Sequence, residues 1–290
     1  MIVDPLPVAW RFEAIGTHWR IDTREPLPPD VARAVSERVE RFDRDWSRFR
    51  ADSLVSRIAA QPGRHVLPAD AVALLGFYRE LYDATSGRVS PLVGRTLEAL
   101  GYDAAYRLRA AADIPTVPSW DDAVAWDGEA LETVRPVLLD VGAAGKGYLV
   151  DLVSDVLAAA GIREHIVDAS GDLRTRDVPM RIALEHPLDP RKAVGVADLR
   201  DGAFCASASN RRAWGDGLHH VLDAATGLPT RDVIATWVIA PTALVADGIA
   251  TALFLDPDPQ LVARHGAAFA RMWGDGRVDA SDHFPGEIFE

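Results

Sequence analysis

The chain is short of cysteine, with one, Cys205, in 290 residues. One thiol cannot form an internal disulfide, and a multi-cysteine zinc site is excluded with it. Long apolar runs are missing too: no stretch approaches the roughly 20 residues of a membrane span. Basic charge is in deficit, with 31 Lys and Arg against 43 Asp and Glu and a formal net charge of −12. That balance argues against binding a nucleic-acid backbone, which takes clustered Lys and Arg. It leaves phosphate ligands open, provided that backbone N–H groups or a metal ion meet them. The opening MIVDPLPVAWRFE lacks a basic start followed by an apolar stretch, so no secretory signal is expected and a cytoplasmic location is the default.

What is present is ordinary for a globular protein, 48% hydrophobic and 26% charged. A chain of this length buries roughly three quarters of its unfolded surface and needs no staples. One domain over residues 1–290 is expected. Residues 8–22 mix aromatic and β-branched side chains and read as one or two strands. Val31, Val35, Val39 and Phe42 recur at helical spacing within 29–46. Residues 70–84 read as another helix, and 103–136, with Pro115 and Pro118, as irregular. The next unit is sharper: a short strand Val137–Leu139, a glycine turn at 141–147, a helix Tyr148–Ala160 stopped by Gly161, and a strand His165–Ala169. Further strands are expected at 183–184, 194–199, 203–206, 220–222 and 233–240, then a helix over 243–255. Strands followed by helices without strict alternation predict an α+β fold with mixed or antiparallel sheets and flanking helices.

The glycine turn meets neither phosphate-loop fingerprint. A Walker loop needs four residues between its glycines and a hydroxyl after the lysine; here two residues separate Gly142 from Gly145, and Gly147 follows Lys146. A dinucleotide fingerprint needs glycine where Val150 stands. The turn reads equally as a tight turn with an exposed lysine or as a loop whose N–H groups and following helix N-terminus face an anion. Asp247 and Thr251 lie four apart on one helical face. A carboxylate and a hydroxyl so placed suit a hard cation such as Mg²⁺; the plainer reading is a partly buried Asp bonded to its helix neighbour. His219 and His220 precede Leu222, Asp223 and the segment 226–229, and the turn 223–227 is also a good plain hairpin loop. Cys205 reads as a small core residue.

Together these segments are more specific than they are singly. Residues 139–151 (LDVGAAGKGYLVD), 167–172 (VDASGD), 220–229 (HVLDAATGLP) and 240–252 (APTALVADGIATA) stand in an order and spacing that resemble the ApbE family, the FAD:protein FMN transferases. Residues 15–17 (IGT), 46–53 (WSRFRADS) and 85–91 (TSGRVSP) add upstream blocks, so the resemblance runs from about 10 to about 256. It implies a T-fold-like architecture and an enzyme that binds FAD with Mg²⁺, transfers the FMN half to a threonine or serine hydroxyl of a partner protein, and releases AMP. It places Asp247, Thr251 and the backbone carbonyl of Ala143 at the metal positions. Ile15, Phe49, Arg88, Val89, Ser90, Asp140, Lys146 and Leu222 fall at FAD-contacting positions, and His220 close to the reaction. An unperturbed histidine titrates near neutrality, which makes His220 the candidate base. The chain has Arg88-Val89-Ser90 where the family has Ala-Phe-Asp, Asp168-Ala169-Ser170-Gly171-Asp172 for Asn-Ala-Gly-Gly-Asp, and Cys205-Ala206-Ser207-Ala208 for Ala-Thr-Ser-Gly. A Mg²⁺-dependent FAD pyrophosphatase and a non-catalytic flavin-binding protein remain the other readings.

Overall fold

The computed structural model describes residues 6–215 and 217–289. Residues 1–5, on which part of the signal-peptide reading rests, lie outside them. Eight strands form the main sheet: Val8–Ala14, Thr17–Thr23, His165–Asp168, Asp172–Arg176, Gly202–Ala208, Val233–Ala240, Ala268–Trp273 and Val278–Ala280. They lie side by side in chain order, and every neighbouring pair is antiparallel. Side chains alternate across a strand, so each strand feeds two cores. Val167, Ala203, Cys205 and Val238 face one core, with the helices Pro29–Trp46, Gly145–Ala159 and Ala243–Ala252. Ile166, Phe204 and Trp237 face the other, against a three-stranded sheet of Met180–Glu185, Ala193–Leu199 and Gly286–Ile288.

The Pro29–Trp46 helix forms as its apolar spacing predicts, burying Val31, Val35, Val39, Phe42 and Trp46. Proline opens it, where a missing N–H costs nothing. The helix after the glycine turn starts at Gly145, three residues earlier than its sequence pattern predicts, and ends at Ala159, two residues before Gly161, whose φ is +82°. The Ala243–Ala252 helix is capped by the Thr242 side chain and passes into a 3₁₀ turn, Leu253–Leu255.

Three expectations fail. Val137–Leu139 is buried but pairs with no strand. Its side chains enter the core from an extended loop, held where Asp140 N–H donates to the Pro91 carbonyl at 2.7 Å. The strand expected at 220–222 breaks at His220: Leu218–His219 pairs with Ala213–Trp214, and Leu222–Asp223 with Leu228–Pro229. The stretch 103–136 is not irregular throughout. Val124–Trp126 and Ala130–Thr133 form a sheet with Gly63–Val66, a partner about sixty residues upstream. No helix of the described residues is long and apolar enough to cross a membrane.

Candidate active site

A cleft of about 640 Å³ opens where the Ile15–Thr17 hairpin tip, the 46–50 turn, the glycine turn and the 206–212 and 220–222 loops meet. Ile15, Phe49, Val89, Ser90, Asp140, Ala143, Lys146, His220, Leu222, Asp247 and Thr251 all line it. Arg88 is not part of the lining. Its guanidinium turns away, pairs with Asp223 at 3.0 Å, and donates to the Leu255 carbonyl at 2.8 Å. Ser90 lines the cleft while its Oγ accepts from Leu92 N–H at 3.2 Å, capping the short 3₁₀ turn that follows.

The N–H groups of the glycine turn are met by both side chains and backbone. Asp140 Oδ1 accepts from Gly142 N–H at 2.7 Å, and Gly145 N–H donates to the Val141 carbonyl at 2.7 Å. Ala143 N–H donates to the Tyr78 hydroxyl at 3.0 Å. Its carbonyl then accepts from Thr251 Oγ1 at 3.2 Å. Gly147 N–H donates to Asp247 Oδ2 at 2.9 Å, which puts the carboxylate at the positive end of the Gly145–Ala159 helix. A side chain at 147 has no room: a Cβ there would lie 2.1 Å from the Ala243 carbonyl oxygen.

These contacts gather three kinds of oxygen in one place: the Asp247 carboxylate, the Thr251 hydroxyl and the Ala143 carbonyl. Burial, and then the neighbouring Asp172, push the Asp247 carboxyl well above its ordinary value. Lys146 offsets part of this. Its ammonium pairs with Asp172 and donates to the Ala169 carbonyl at 3.2 Å. Burial alone would lower that ammonium, but the charges of Asp172 and Asp247 outweigh it and raise it. A buried carboxyl with incomplete compensation, beside a hydroxyl and a carbonyl, is a donor set for a hard oxygen-binding cation. No group of three or more His, Cys, Asp or Glu able to hold a metal occurs among the described residues. This site would therefore leave most coordination positions to water and ligand oxygens, as Mg²⁺ prefers.

The two histidines part company. His219 is buried and bonded, Nε2 to the Thr230 carbonyl at 2.7 Å and Nδ1 to Val221 N–H at 3.3 Å. His220 faces the cleft, and its Nδ1 is enclosed without a hydrogen-bond partner. Burial, and then the positive charge of Arg212, lower its imidazole to about 3. That is a shift away from the titration near neutrality that the sequence predicts.

The ApbE family model matches residues 15–269. The chain belongs to the ApbE family. An FAD:protein FMN transferase of Rhodobacter capsulatus is 28% identical over 307 aligned positions, covering 97% of this chain and 58% of that protein. One from Klebsiella pneumoniae strain 342 is 33% identical over 156 positions, covering 49% of this chain and 45% of that protein. The chain spans about half the length of these relatives. The crystal structure of an ApbE protein from Thermotoga maritima superposes with a TM-score of 0.83 at 24% identity, covering 97% of this chain and 99% of that one. The flavin transferase ApbE from Vibrio cholerae gives 0.78 at 22%, covering 96% and 97%. At these identities the two structures establish the ApbE fold.

Reading the ApbE blocks residue by residue misses part of the cleft wall. Arg48 and Arg212 line it, as do Tyr102 and Tyr106. Arg48 lies inside the 46–53 block, where its arginine next to Phe49 was the available signal. Tyr102 and Tyr106 come from a segment with no periodic pattern, and Tyr106 reaches the cleft by stacking on Phe49, ring centroids 5.6 Å apart. Ser170, where the family has glycine, takes a left-handed φ of +56° and bonds the His18 carbonyl at 2.9 Å. That bond helps to hold a conformation glycine adopts more readily.

Proposed function

We propose that this protein transfers the FMN moiety of FAD to a threonine or serine hydroxyl of a partner protein, with Mg²⁺, and releases AMP. One observation carries the reading: every candidate residue except Arg88 converges on a single cleft, large enough for a ligand with two flat ring systems. The family membership and the names of the relatives support it. A cytoplasmic setting belongs to the same proposal.

Phosphoryl transfer is mainly positioning and charge neutralisation. The N-terminus of the Gly145–Ala159 helix and the Lys146 ammonium stand at one side of the cleft, where a pyrophosphate would lie, with Asp247 and Asp172 already against them. Asp247, Thr251 and the Ala143 carbonyl would hold Mg²⁺, which supplies the positive charge that an acidic protein lacks for a doubly charged pyrophosphate. His220, in the cleft wall, would accept the proton of the acceptor hydroxyl. The hydroxyl oxygen bonds to the FMN-side phosphorus as the bond from that phosphorus to the AMP oxygen breaks. Two phosphate charges beside His220 would also lift its basicity in the complex, because a neighbouring opposite charge favours the imidazolium.

The test is incubation with FAD, Mg²⁺ and a flavoprotein domain that carries FMN on threonine, followed by a denaturing gel. Flavin fluorescence fixed to the acceptor band is the expected result. Free FMN and AMP without labelled protein would make it a pyrophosphatase, and intact bound FAD a flavin-binding protein.

A further inference from the structure

Arg48 is placed as no surface arginine is. Its side chain is 2% exposed, in the wall of the cleft. Nε donates to Asp140 Oδ2 at 2.5 Å and Nη1 to the Tyr102 carbonyl at 2.7 Å. The guanidinium carbon lies 4.2 Å from the centroid of the Phe49 ring and 4.9 Å from that of Tyr102. One planar cation therefore ties together three turns that are remote in sequence, near residues 48, 102 and 140. Lysine could not do this, since it has neither the fork of donors nor a plane to stack. Phe49 in turn meets Tyr102 edge-on and Tyr106 face-on. The aromatic wall is thus built outward from the Arg48 guanidinium.

We propose that Arg48 is a positioning residue that fixes the Asp140 carboxylate and the Phe49 and Tyr102 rings as one preformed wall for FAD. The proposal rests on the reading that this cleft holds FAD. Its physical basis is preorganisation: a wall ordered before binding spares the ligand the cost of ordering it. Asp140 supports this. Burial would raise its carboxyl, but the Arg48 guanidinium, by charge and hydrogen bond, holds it below its ordinary value. Arg212, Tyr78, Tyr102 and His220 also act on Asp140 through space, and Lys146, Asp172 and Asp247 line the same cleft. Only Arg48 bonds the carboxylate directly among the described side chains.

The test is FAD titration by flavin fluorescence from pH 5 to 8, with steady-state kinetics, on wild type, Arg48→Lys, Arg48→Met and the double variant Arg48→Met with Asp140→Asn. Arg48→Lys should raise the KM for FAD by about tenfold or more and lower kcat by much less, tenfold being 1.4 kcal/mol. In Arg48→Met, Asp140 is left buried and unpaired, so its carboxyl rises. FAD binding by that variant should strengthen relative to wild type as pH falls. The double variant should lose this added pH dependence and follow the wild-type profile. Should Arg48→Met fail to fold, Arg48→Lys and the double variant carry the test. Folded variants that bind FAD within twofold of wild type across the range, however much their melting points drop, would reduce Arg48 to a structural ion pair. A wild type that binds no FAD overturns the reading of the cleft itself, and this proposal with it.

Discussion

Asp151 and Asp247 cap each other's helices. Asp151, in the Gly145–Ala159 helix, accepts the N–H groups of Ala243 and Leu244 at 2.9 and 2.8 Å, at the start of the other helix. Asp247, in the Ala243–Ala252 helix, accepts Gly147 N–H at 2.9 Å. Each carboxylate thereby meets unpaired N–H groups and the positive end of a macrodipole. The exchange locks the two helices in register, and with them the three oxygen donors of the cleft. Asp151 is held further by Arg174, whereas Asp247 faces Asp172 and the cleft.

Asp247→Asn keeps the volume and drops the charge. The fold should survive, while FAD turnover falls by most of its value and stays low at any Mg²⁺ concentration. Thr251→Val removes one neutral ligand, so extra Mg²⁺ should restore part of its activity. The measurement is turnover against Mg²⁺ for wild type and both variants. Coincident Mg²⁺ curves for wild type and Asp247→Asn would place the metal elsewhere.

His220→Asn should slow transfer by about 10²–10⁴-fold, the usual worth of a general base, and spare FAD binding. A histidine lowered to about 3 when folded is still neutral at pH 5. On the acid side, then, wild-type kcat/KM, which reports the free enzyme, should show no histidine limb between pH 5 and 8. The sign for stability follows. Below about pH 6.5 the unfolded chain binds a proton that the folded chain refuses, so folding weakens as pH falls from neutral toward 3. Thermal melts should show His220→Asn gaining on wild type as pH drops from 7 to 5. A gap that does not move with pH would mean that the imidazole is solvated.

Gly147→Ala should be costly for so small a change. Its Cβ would sit 2.1 Å from the Ala243 carbonyl oxygen and 2.6 Å from Asp247 Cβ. Backbone must move, at about 1–3 kcal/mol for overpacking. The melting point should drop by about 2–4 °C per kcal/mol. Moving the two helices apart also separates Asp247 from the glycine turn, so Mg²⁺ should activate less well. An unchanged melting point and Mg²⁺ curve would show that the helices part freely.

Arg88→Met separates the family position from the structural one. The Arg88 guanidinium points at Asp223 and the Leu255 carbonyl, so its loss should lower stability by about 1 kcal/mol, small because the side chain is 38% exposed. The KM for FAD should stay within about twofold of wild type. A tenfold rise would put the guanidinium on the ligand after all.

Much of this was legible in the chain. Val31, Val35, Val39 and Phe42 are all buried on one face of their helix, because helical periodicity is a local property. Asp247 and Thr251 share a face for the same reason. The segment 223–227 forms the plain hairpin turn its sequence predicts, with Gly227 at φ +69° and its N–H on the Asp223 carbonyl at 2.8 Å. Strand existence was less secure. Val137–Leu139 has the composition of a strand, yet pairing needs a partner, and three apolar residues cannot say whether one is near. Val124–Trp126 and Ala130–Thr133 fail in the opposite sense: their partner Gly63–Val66 is remote in the chain.

By itself the sequence determined the fold class, the site blocks and the chemistry of their side chains, because periodicity, turn residues and functional groups are carried by neighbours in the chain. Tertiary structure decided which of those groups share a cavity and in what charge state. Arg88 and Ser90 are two residues apart, yet only Ser90 lines the cleft. His220 has the same imidazole as any histidine, but burial and Arg212 lower its basicity. Arg48 gains its place from Asp140, 92 residues away. Solvent exclusion and the field of distant charges depend on the whole packed chain, and no local pattern encodes them.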